Sequence, residues 1–69
     1  MDTVEKSHDL LAFRLADMLR RLNQGERMSV LQLAGDYGVN SRTIQRDLNE
    51  RFAYLPLKKE DGVYHLESF

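Results

Sequence analysis

The chain has 69 residues, with ten Lys and Arg, eleven Asp and Glu, and no cysteine. That length allows one small domain with a single core and no deep pocket for a small molecule, and the lack of cysteine excludes disulfide bonds and thiolate metal sites. Because the sequence has neither an apolar run of the roughly 20 residues that a membrane span requires nor a signal-peptide pattern at its start, we expect a cytoplasmic protein that does not contact a membrane.

The charged residues are unevenly distributed along the chain. The formal net charge of −1 argues against nucleic acid as a partner, since a basic surface is expected there. From Arg14 to Lys59, however, nine basic residues stand against five acidic ones, a net charge of +4, and the remaining acidic residues lie near the two ends. The total charge therefore does not decide whether the chain binds nucleic acid.

The first helix is predicted by apolar residues at helical spacing. We expect residues 1–6 to be flexible and the helix to begin near Ser7, with Asp2 as the alternative start. Gly25 is placed to end it, because glycine readily adopts the left-handed conformation that closes a helix. The residues predicted to form its core-facing stripe are Leu11, Leu15, Met18, Leu19 and Leu22.

Two large apolar residues of this helix do not fit the stripe. Leu10 and Phe13 project toward the opposite side, together with Asp17 and Arg20. Single exposed apolar side chains are common on protein surfaces. The alternative is that Phe13 contacts another subunit or domain, and the sequence leaves both interpretations open.

A second, short helix is marked at both ends. Ser29 and Gln32 form a capping box, in which the serine side chain accepts a hydrogen bond from the first turn of the helix. Gly38 follows the predicted range Val30–Tyr37 and supplies the left-handed residue that closes it. Because only a short turn separates this helix from the next one, the pair predicts a helix-turn-helix.

The third helix carries the candidate binding surface. Asn40 is a suitable N-cap, so the helix is predicted to begin at Ser41 and to extend to about Phe52. At about 100° per residue, Ile44 and Leu48 face the core. The opposite side carries side chains that can form bidentate hydrogen bonds with guanine or adenine edges, or bind phosphates. These residues are Arg42, Gln45, Arg46 and Asn49. A solvated surface helix could carry the same residues, so this pattern alone does not establish DNA binding.

After Phe52 the pattern changes to a β-hairpin. Asp61 and Gly62 favour a two-residue turn, because both positions prefer a positive φ. This turn pairs Leu57 with Leu66, and both then face the core. The other predicted pairs are Glu60 with Val63, Lys59 with Tyr64, and Lys58 with His65.

The hairpin is too small to be stable in water by itself, so we expect it to pack on the helices and to gain a short third strand from Arg27 and Met28. The order helix, short strand, helix, helix, hairpin is that of a winged helix-turn-helix. Residues 7–69 are therefore expected to form one mainly α-helical domain of three helices with a small β-hairpin, the wing.

The chain resembles a known family. The segment SVLQLAGDYGVNSRTIQRDLNERF resembles the winged helix-turn-helix domain of DeoR-type bacterial transcriptional regulators, and more closely that of regulators carrying a C-terminal WYL domain. The resemblance continues into LPLKKEDGVYHLE and covers about residues 10–67. The RTIQRDL motif, following LA and GV at this spacing, is quite specific. One departure is Asn40, where the family commonly has a serine as the cap.

The resemblance implies sequence-specific binding of double-stranded DNA, with the third helix in the major groove and the wing on the backbone or minor groove. It also implies that Asp47 is structural. The WYL domain does not follow Phe69, so we expect the chain to be an excised N-terminal domain, and we expect its full-length parent to be a homodimer. The residues expected to contact DNA by resemblance are Ser41, Arg42, Thr43, Gln45, Arg46, Lys58 and Lys59, to which the helix pattern adds Asn49.

No catalytic site, metal site or cofactor is expected. His8 and His65 come from distant segments without metal-ligand spacing. Asp47 lacks a catalytic partner, whereas a charge that orients arginines on its own helix is ordinary. The alternative to DNA binding is a winged helix that serves as a protein interaction or dimerisation module, which the near-neutral net charge and the exposed Leu10 and Phe13 would allow.

Overall fold

The computed structural model describes the backbone of residues 3–67 and the side chains of residues 10–67. Its elements follow the predicted order of helix, short strand, helix, helix and hairpin. They are α1 (Thr3–Asn23), β1 (Met28–Ser29), α2 (Val30–Tyr37), α3 (Ser41–Arg46), a π-helical turn (Asp47–Arg51), β2 (Leu57–Glu60) and β3 (Val63–Leu66). The prediction of a mainly helical winged helix-turn-helix is therefore confirmed.

Helix α1 begins earlier than its main predicted start. Its first residue is Thr3, which is nearer to the alternative start at Asp2 than to Ser7. Gly25, with a φ of 80°, follows the end of the helix as predicted. The flexibility expected for residues 1–6 stays a prediction, and the first two of those residues lie outside the described part of the chain.

One hydrophobic core joins the helices to the sheet. From the predicted stripe of α1, Met18 and Leu22 are fully buried, and Leu15 and Leu19 pack against them while partly exposed. Full burial of such a side chain stabilises the fold by about 1.5–3 kcal/mol. The buried core residues are Met18, Leu22, Met28, Leu33, Ile44, Leu48, Phe52 and Tyr64. Every helix and the sheet contribute to this set, so each element depends on the others for its burial.

The helix-turn-helix is formed by α2 and α3. The side chain of Ser29 accepts a hydrogen bond from the backbone N–H of Gln32 at 3.0 Å, as the capping box predicts. Gly38 has a φ of 66° and donates its N–H to the carbonyl of Ala34, which closes α2. These two caps fix both ends of α2 and thereby the direction in which the chain enters α3.

The three strands form an antiparallel sheet in the order β1-β3-β2, with β3 in the centre. The turn residues Asp61 and Gly62 have φ values of 53° and 77°, as a two-residue hairpin turn requires. The first strand is formed by Met28 and Ser29, one residue later than the expected Arg27 and Met28, because Met28 pairs with Tyr64 and Ser29 with Val63 of β3. The predicted pairs of the hairpin are all confirmed: Leu57 with Leu66, Lys58 with His65, Lys59 with Tyr64, and Glu60 with Val63.

The third helix departs from regular α-helical geometry after Arg46. In the π-helical turn Asp47–Arg51, the backbone N–H of Phe52 donates to the carbonyl of Asp47 at 2.8 Å, across five residues rather than four. Such a turn advances by about 80° per residue instead of about 100°, which brings Phe52 to within about 20° of the direction of Ile44. The wider turn thus allows Phe52 to be buried in the core.

Candidate nucleic-acid interface

Five polar side chains of the third helical segment line one open groove. All five are exposed, and the groove has a volume of about 240 Å³. They are Arg42, Gln45, Arg46, Asn49 and Glu50. The first four are the residues that the helix pattern places on the side away from the core, and the structure brings them together. Glu50 was not predicted.

The rest of the segment holds these side chains toward solvent. Ile44 and Leu48 are buried on the other side of the helix. The side-chain oxygen of Asn40 accepts hydrogen bonds from the backbone N–H of Thr43 at 2.9 Å and from its hydroxyl at 3.1 Å. The segment is therefore fixed at its first turn by the cap and along one side by the core.

Ser41 and Thr43, which the resemblance assigns to the DNA contact, do not line the groove. Both are half-buried in the first turn of α3. The hydroxyl of Thr43 already donates to the side chain of Asn40, so it takes part in the cap.

The two arginines of the groove differ from the other arginines of the helices in their side-chain partners. Within residues 10–67, neither Arg42 nor Arg46 has an ion pair or a side-chain hydrogen bond, so the five N–H donors of each guanidinium are available to a ligand. The arginines that form ion pairs with carboxylates are Arg14, Arg20, Arg21 and Arg51.

Asp47 is the buried charge that anchors the end of this segment. Its carboxylate accepts hydrogen bonds from Arg14 at 2.7 and 3.2 Å and from Arg51 at 3.1 Å, and it is fully buried. Arg51 is an arginine of the same helical segment, as expected. Arg14 comes from α1, 33 positions earlier, and no local spacing could indicate it. Asp47 therefore ties α1 to the π-helical turn and takes no part in the groove.

Glu50 lies in the groove because of the π-helical turn. At about 100° per residue, it would point about 40° beyond Arg46 and away from the centre of the polar side. At about 80° per residue from Asp47 onward, it points between the directions of Arg42 and Arg46. A prediction based on one regular helical period could not place it there.

The wing carries the two lysines that were expected to contact DNA. Lys58 and Lys59 are exposed on β2, an edge strand, and they lie outside the groove of α3. Because successive strand residues point to opposite faces, the two side chains diverge, and the ammonium nitrogen of Lys59 lies 5.6 Å from the ring centroid of Tyr64. Lysine also protects an edge strand from pairing with another chain, which gives these two positions a role within the fold.

Both ring nitrogens of His65 have partners within the wing. Nε2 lies 2.8 Å from a carboxylate oxygen of Glu60, and Nδ1 lies 3.0 Å from the carbonyl oxygen of Leu66. The hydrogen bond to His65, with the charge of Lys58, holds the pKa of Glu60 below its ordinary value of 4.5.

A second polar network joins α1 to α2 away from the groove. Arg21 forms ion pairs with Glu26 at 2.8 Å and Asp36 at 3.1 Å, and it donates to the hydroxyl of Tyr37 at 3.2 Å. That hydroxyl donates in turn to Asp17 at 2.6 Å. Burial, followed by this bond, raises the pKa of Tyr37 above 10.0, and the same bond lowers the pKa of Asp17 below 3.8. The network fixes the two helices to each other without using any residue of the groove.

Neither a metal site nor a membrane span is present in the described part of the chain. Within it, no group of three or more His, Cys, Asp or Glu is arranged to hold a metal ion. No helix within residues 3–67 is long and apolar enough to cross a membrane.

Comparison with known proteins identifies the family. No curated protein and no solved structure matches the chain significantly. The family model described as the DeoR-like helix-turn-helix domain matches residues 14–66, which include the helix-turn-helix, the groove and the wing. The chain therefore belongs to the DeoR-like helix-turn-helix domains, the DNA-binding domains of a family of transcription regulators.

Proposed function

We propose that the chain binds double-stranded DNA sequence-specifically as the DNA-reading domain of a bacterial, cytoplasmic transcriptional regulator. The observation that carries this proposal is the groove, in which two arginines that have no ion pair among residues 10–67 lie beside two exposed amides. In the proposed complex the segment from Ser41 to about Phe52 enters the major groove, and the wing from Leu57 to Leu66 contacts the flanking backbone or the minor groove.

The chemistry of the groove suits base edges. Arginine forms bidentate hydrogen bonds with O6 and N7 of guanine, and the amides of asparagine and glutamine do so with N6 and N7 of adenine. We assign base contacts to Arg42, Gln45, Arg46 and Asn49 on this ground. Each good bidentate contact discriminates against a wrong base by about 1–3 kcal/mol.

The remaining predicted contacts are assigned to the DNA backbone. Ser41 and Thr43 lie in the first turn of α3, where small hydroxyl side chains are typical partners of phosphates. The hydroxyl of Thr43 would exchange its hydrogen bond with Asn40 for one with a phosphate. Lys58 and Lys59 would contact phosphates from the wing through the ammonium groups at the ends of their flexible side chains. These four residues would then position the domain, whereas the residues of the groove would read the sequence.

We also propose that the full-length parent is a homodimer, with a WYL domain after the domain described here. One such domain reads half a site, and motifs of this kind reach tight specific binding by combining two half-sites about one helical turn apart. A full-length parent that binds a single half-site as a monomer would contradict this part of the proposal.

The test is selection of bound duplexes from a random, fluorescently labelled pool, with binding followed by anisotropy between about 50 and 200 mM salt. We expect steep salt dependence and an enriched motif. Arg42→Ala should weaken binding to that motif by about 1–3 kcal/mol and relax the preference at one base pair. Arg20→Ala is the matched control, because it removes the same charge from an exposed arginine that pairs with Asp17 outside the groove. Absence of binding at the lowest salt would contradict the proposal.

The alternative function is a protein interaction or dimerisation module. The observation in its favour is that Leu10 and Phe13 are 61% and 64% exposed and line a second groove of about 240 Å³ together with Tyr37. Sedimentation of the wild type and of Phe13→Ala tests it. Identical monomeric behaviour of the two proteins would remove self-association through this surface.

A further inference from the structure

We infer that Glu50 determines part of the DNA specificity of this domain, by selecting cytosine at one position of the half-site and by weakening binding to unrelated sequences. The inference rests on the proposed function and adds to it an acidic residue that the resemblance does not assign. It is carried by the position of Glu50, by its lack of side-chain partners among the described residues and by the chemistry of a carboxylate in the major groove.

Glu50 shares the groove with the residues proposed to read bases. It is exposed and lines the groove together with Arg42, Arg46 and the two amides. This position agrees with the smaller rotation per residue of the π-helical turn, which turns Glu50 toward the side of the two arginines instead of toward the flank of the helix. Any DNA that contacts both arginines along this groove will therefore also approach the carboxylate.

The fold itself does not use this carboxylate. Among residues 10–67, Glu50 has no ion pair and no side-chain hydrogen bond, although Arg46 is four residues earlier on the same segment. A pair at this spacing would be ordinary on a helix. The neighbouring pair of Asp47 and Arg51 has the same spacing and does form, at 3.1 Å. As far as residues 10–67 are concerned, Glu50 is thus an exposed acceptor whose oxygens are available to a ligand.

A carboxylate in the major groove favours one base over the others. It only accepts hydrogen bonds, and cytosine presents its N4 amino group there without an adjacent acceptor. Adenine presents its amino group beside the N7 acceptor, guanine presents two acceptors, and thymine presents O4. The lone pairs of these acceptors repel a carboxylate, so cytosine is the base that Glu50 should select.

The same carboxylate acts against contacts with phosphates. A negative side chain in the same groove as two arginines lowers the attraction of the groove for the DNA backbone, which supplies essentially all of non-specific binding. Glu50 should therefore have opposite effects on the two classes of DNA, strengthening binding to the right half-site and weakening binding to the rest. A residue that only maintains the fold would change both in the same direction.

The experiment compares the wild type with Glu50→Gln on the selected motif, on its single-base variants and on a scrambled duplex. In the wild type, replacing one particular cytosine should weaken binding about tenfold. In Glu50→Gln, that penalty should fall below about threefold, and binding to the scrambled duplex should become several-fold tighter. Glu67→Gln is the matched control, because it removes one exposed carboxylate after β3, outside the groove, and should leave the base preferences unchanged.

The outcomes separate this inference from the proposed function. If Glu50→Gln binds all duplexes more tightly by one factor with an unchanged motif, Glu50 acts only through net charge and the inference is wrong. The inference is also wrong if the variant and the wild type have the same affinities. If the wild type binds no duplex, the proposed function itself fails, and the assignment of Glu50 fails with it. Circular dichroism of each variant verifies that it is folded.

Discussion

Arg14 and Asp47 lie 33 positions apart in the chain, and their side chains form a bidentate ion pair with a shorter bond of 2.7 Å. The carboxylate is fully buried, and the guanidinium side chain is 13% exposed. Removing one partner of a buried pair leaves the other charge without compensation, which costs more than the net value of the pair. The attachment of α1 to the groove-bearing segment is therefore sensitive to either residue.

We expect Asp47→Asn to lower the free energy of unfolding by about 3 kcal/mol, because Arg14 would stay largely buried without its counter-charge. Urea denaturation followed by circular dichroism measures the loss. Glu50→Gln is the control on the same turn, since it neutralises an exposed carboxylate and should change stability by less than about 0.5 kcal/mol. Equal losses in the two variants would contradict a special role of the buried pair.

Two glycines of the helix-turn-helix should respond to alanine in opposite directions. At both Gly35 and Gly38, an added Cβ meets no heavy atom within 4 Å. The change in stability on substitution by alanine is therefore determined by the backbone conformation at each position. Gly38 has a φ of 66°, and we expect Gly38→Ala to cost about 1 kcal/mol. Gly35 lies within α2 without a positive φ, and we expect Gly35→Ala to stabilise by about 0.5–1 kcal/mol. Thermal melting of the two variants checks the sign of each change.

The lysines of the wing should contribute to the salt dependence of DNA binding rather than to sequence preference. If a lysine contacts a phosphate, its replacement by alanine should reduce the slope of log affinity against log salt by about 1 for every sequence. Lys58→Ala and Lys59→Ala are measured separately, because the two side chains point to opposite faces of the wing. A variant whose slope equals that of the wild type would place its lysine outside the interface.

Because Tyr37 donates a hydrogen bond to Asp17, we expect the free energy of unfolding to fall at acidic pH. Hydrogen bonds from Tyr37, and then from Arg20, lower the pKa of Asp17 in the folded protein below its ordinary value of 3.8. The stabilisation is therefore present above about pH 4 and is lost as the pH falls through the lowered pKa. Urea denaturation between pH 7 and pH 2.5 should show a shallower acid loss for Asp17→Asn than for the wild type.

Tyr37→Phe separates the hydrogen bond from the carboxylate itself. This variant keeps Asp17 and removes the hydroxyl that donates to it. Its loss of stability in acid should therefore be shallower than that of the wild type, but steeper than that of Asp17→Asn. An acid loss identical to that of the wild type in both variants would mean that the contact does not contribute to stability.

Local sequence signals predicted the parts of the fold that are determined by a few neighbouring residues. The register of the hairpin follows from the two positive φ values at Asp61 and Gly62, and the bounds of α2 follow from Ser29 and Gly38. In each case the residues that determine the conformation lie within one turn of it, so the local sequence is sufficient to predict it.

The parts that were missed depend on tertiary packing. The helical pattern places Phe52 near the core-facing side, but it does not indicate the π-helical turn through which Phe52 is buried. The same turn brings Glu50 into the groove, and one of the two partners of Asp47, Arg14, comes from another helix. Neither result follows from a periodic pattern, because each depends on which side chains the assembled core can bury.

The central position of β3 has a consequence for the order in which the domain can be completed during synthesis. Both other strands pair only with β3, and Tyr64 of that strand is part of the core. The helices that bear the groove leave the ribosome first, but the sheet cannot begin to form until Val63–Leu66 has followed. A nascent chain that stops at the Asp61–Gly62 turn would therefore leave Met28 without its pairing residue Tyr64 and lack the whole sheet, even though all of its candidate base-reading residues had already been synthesised.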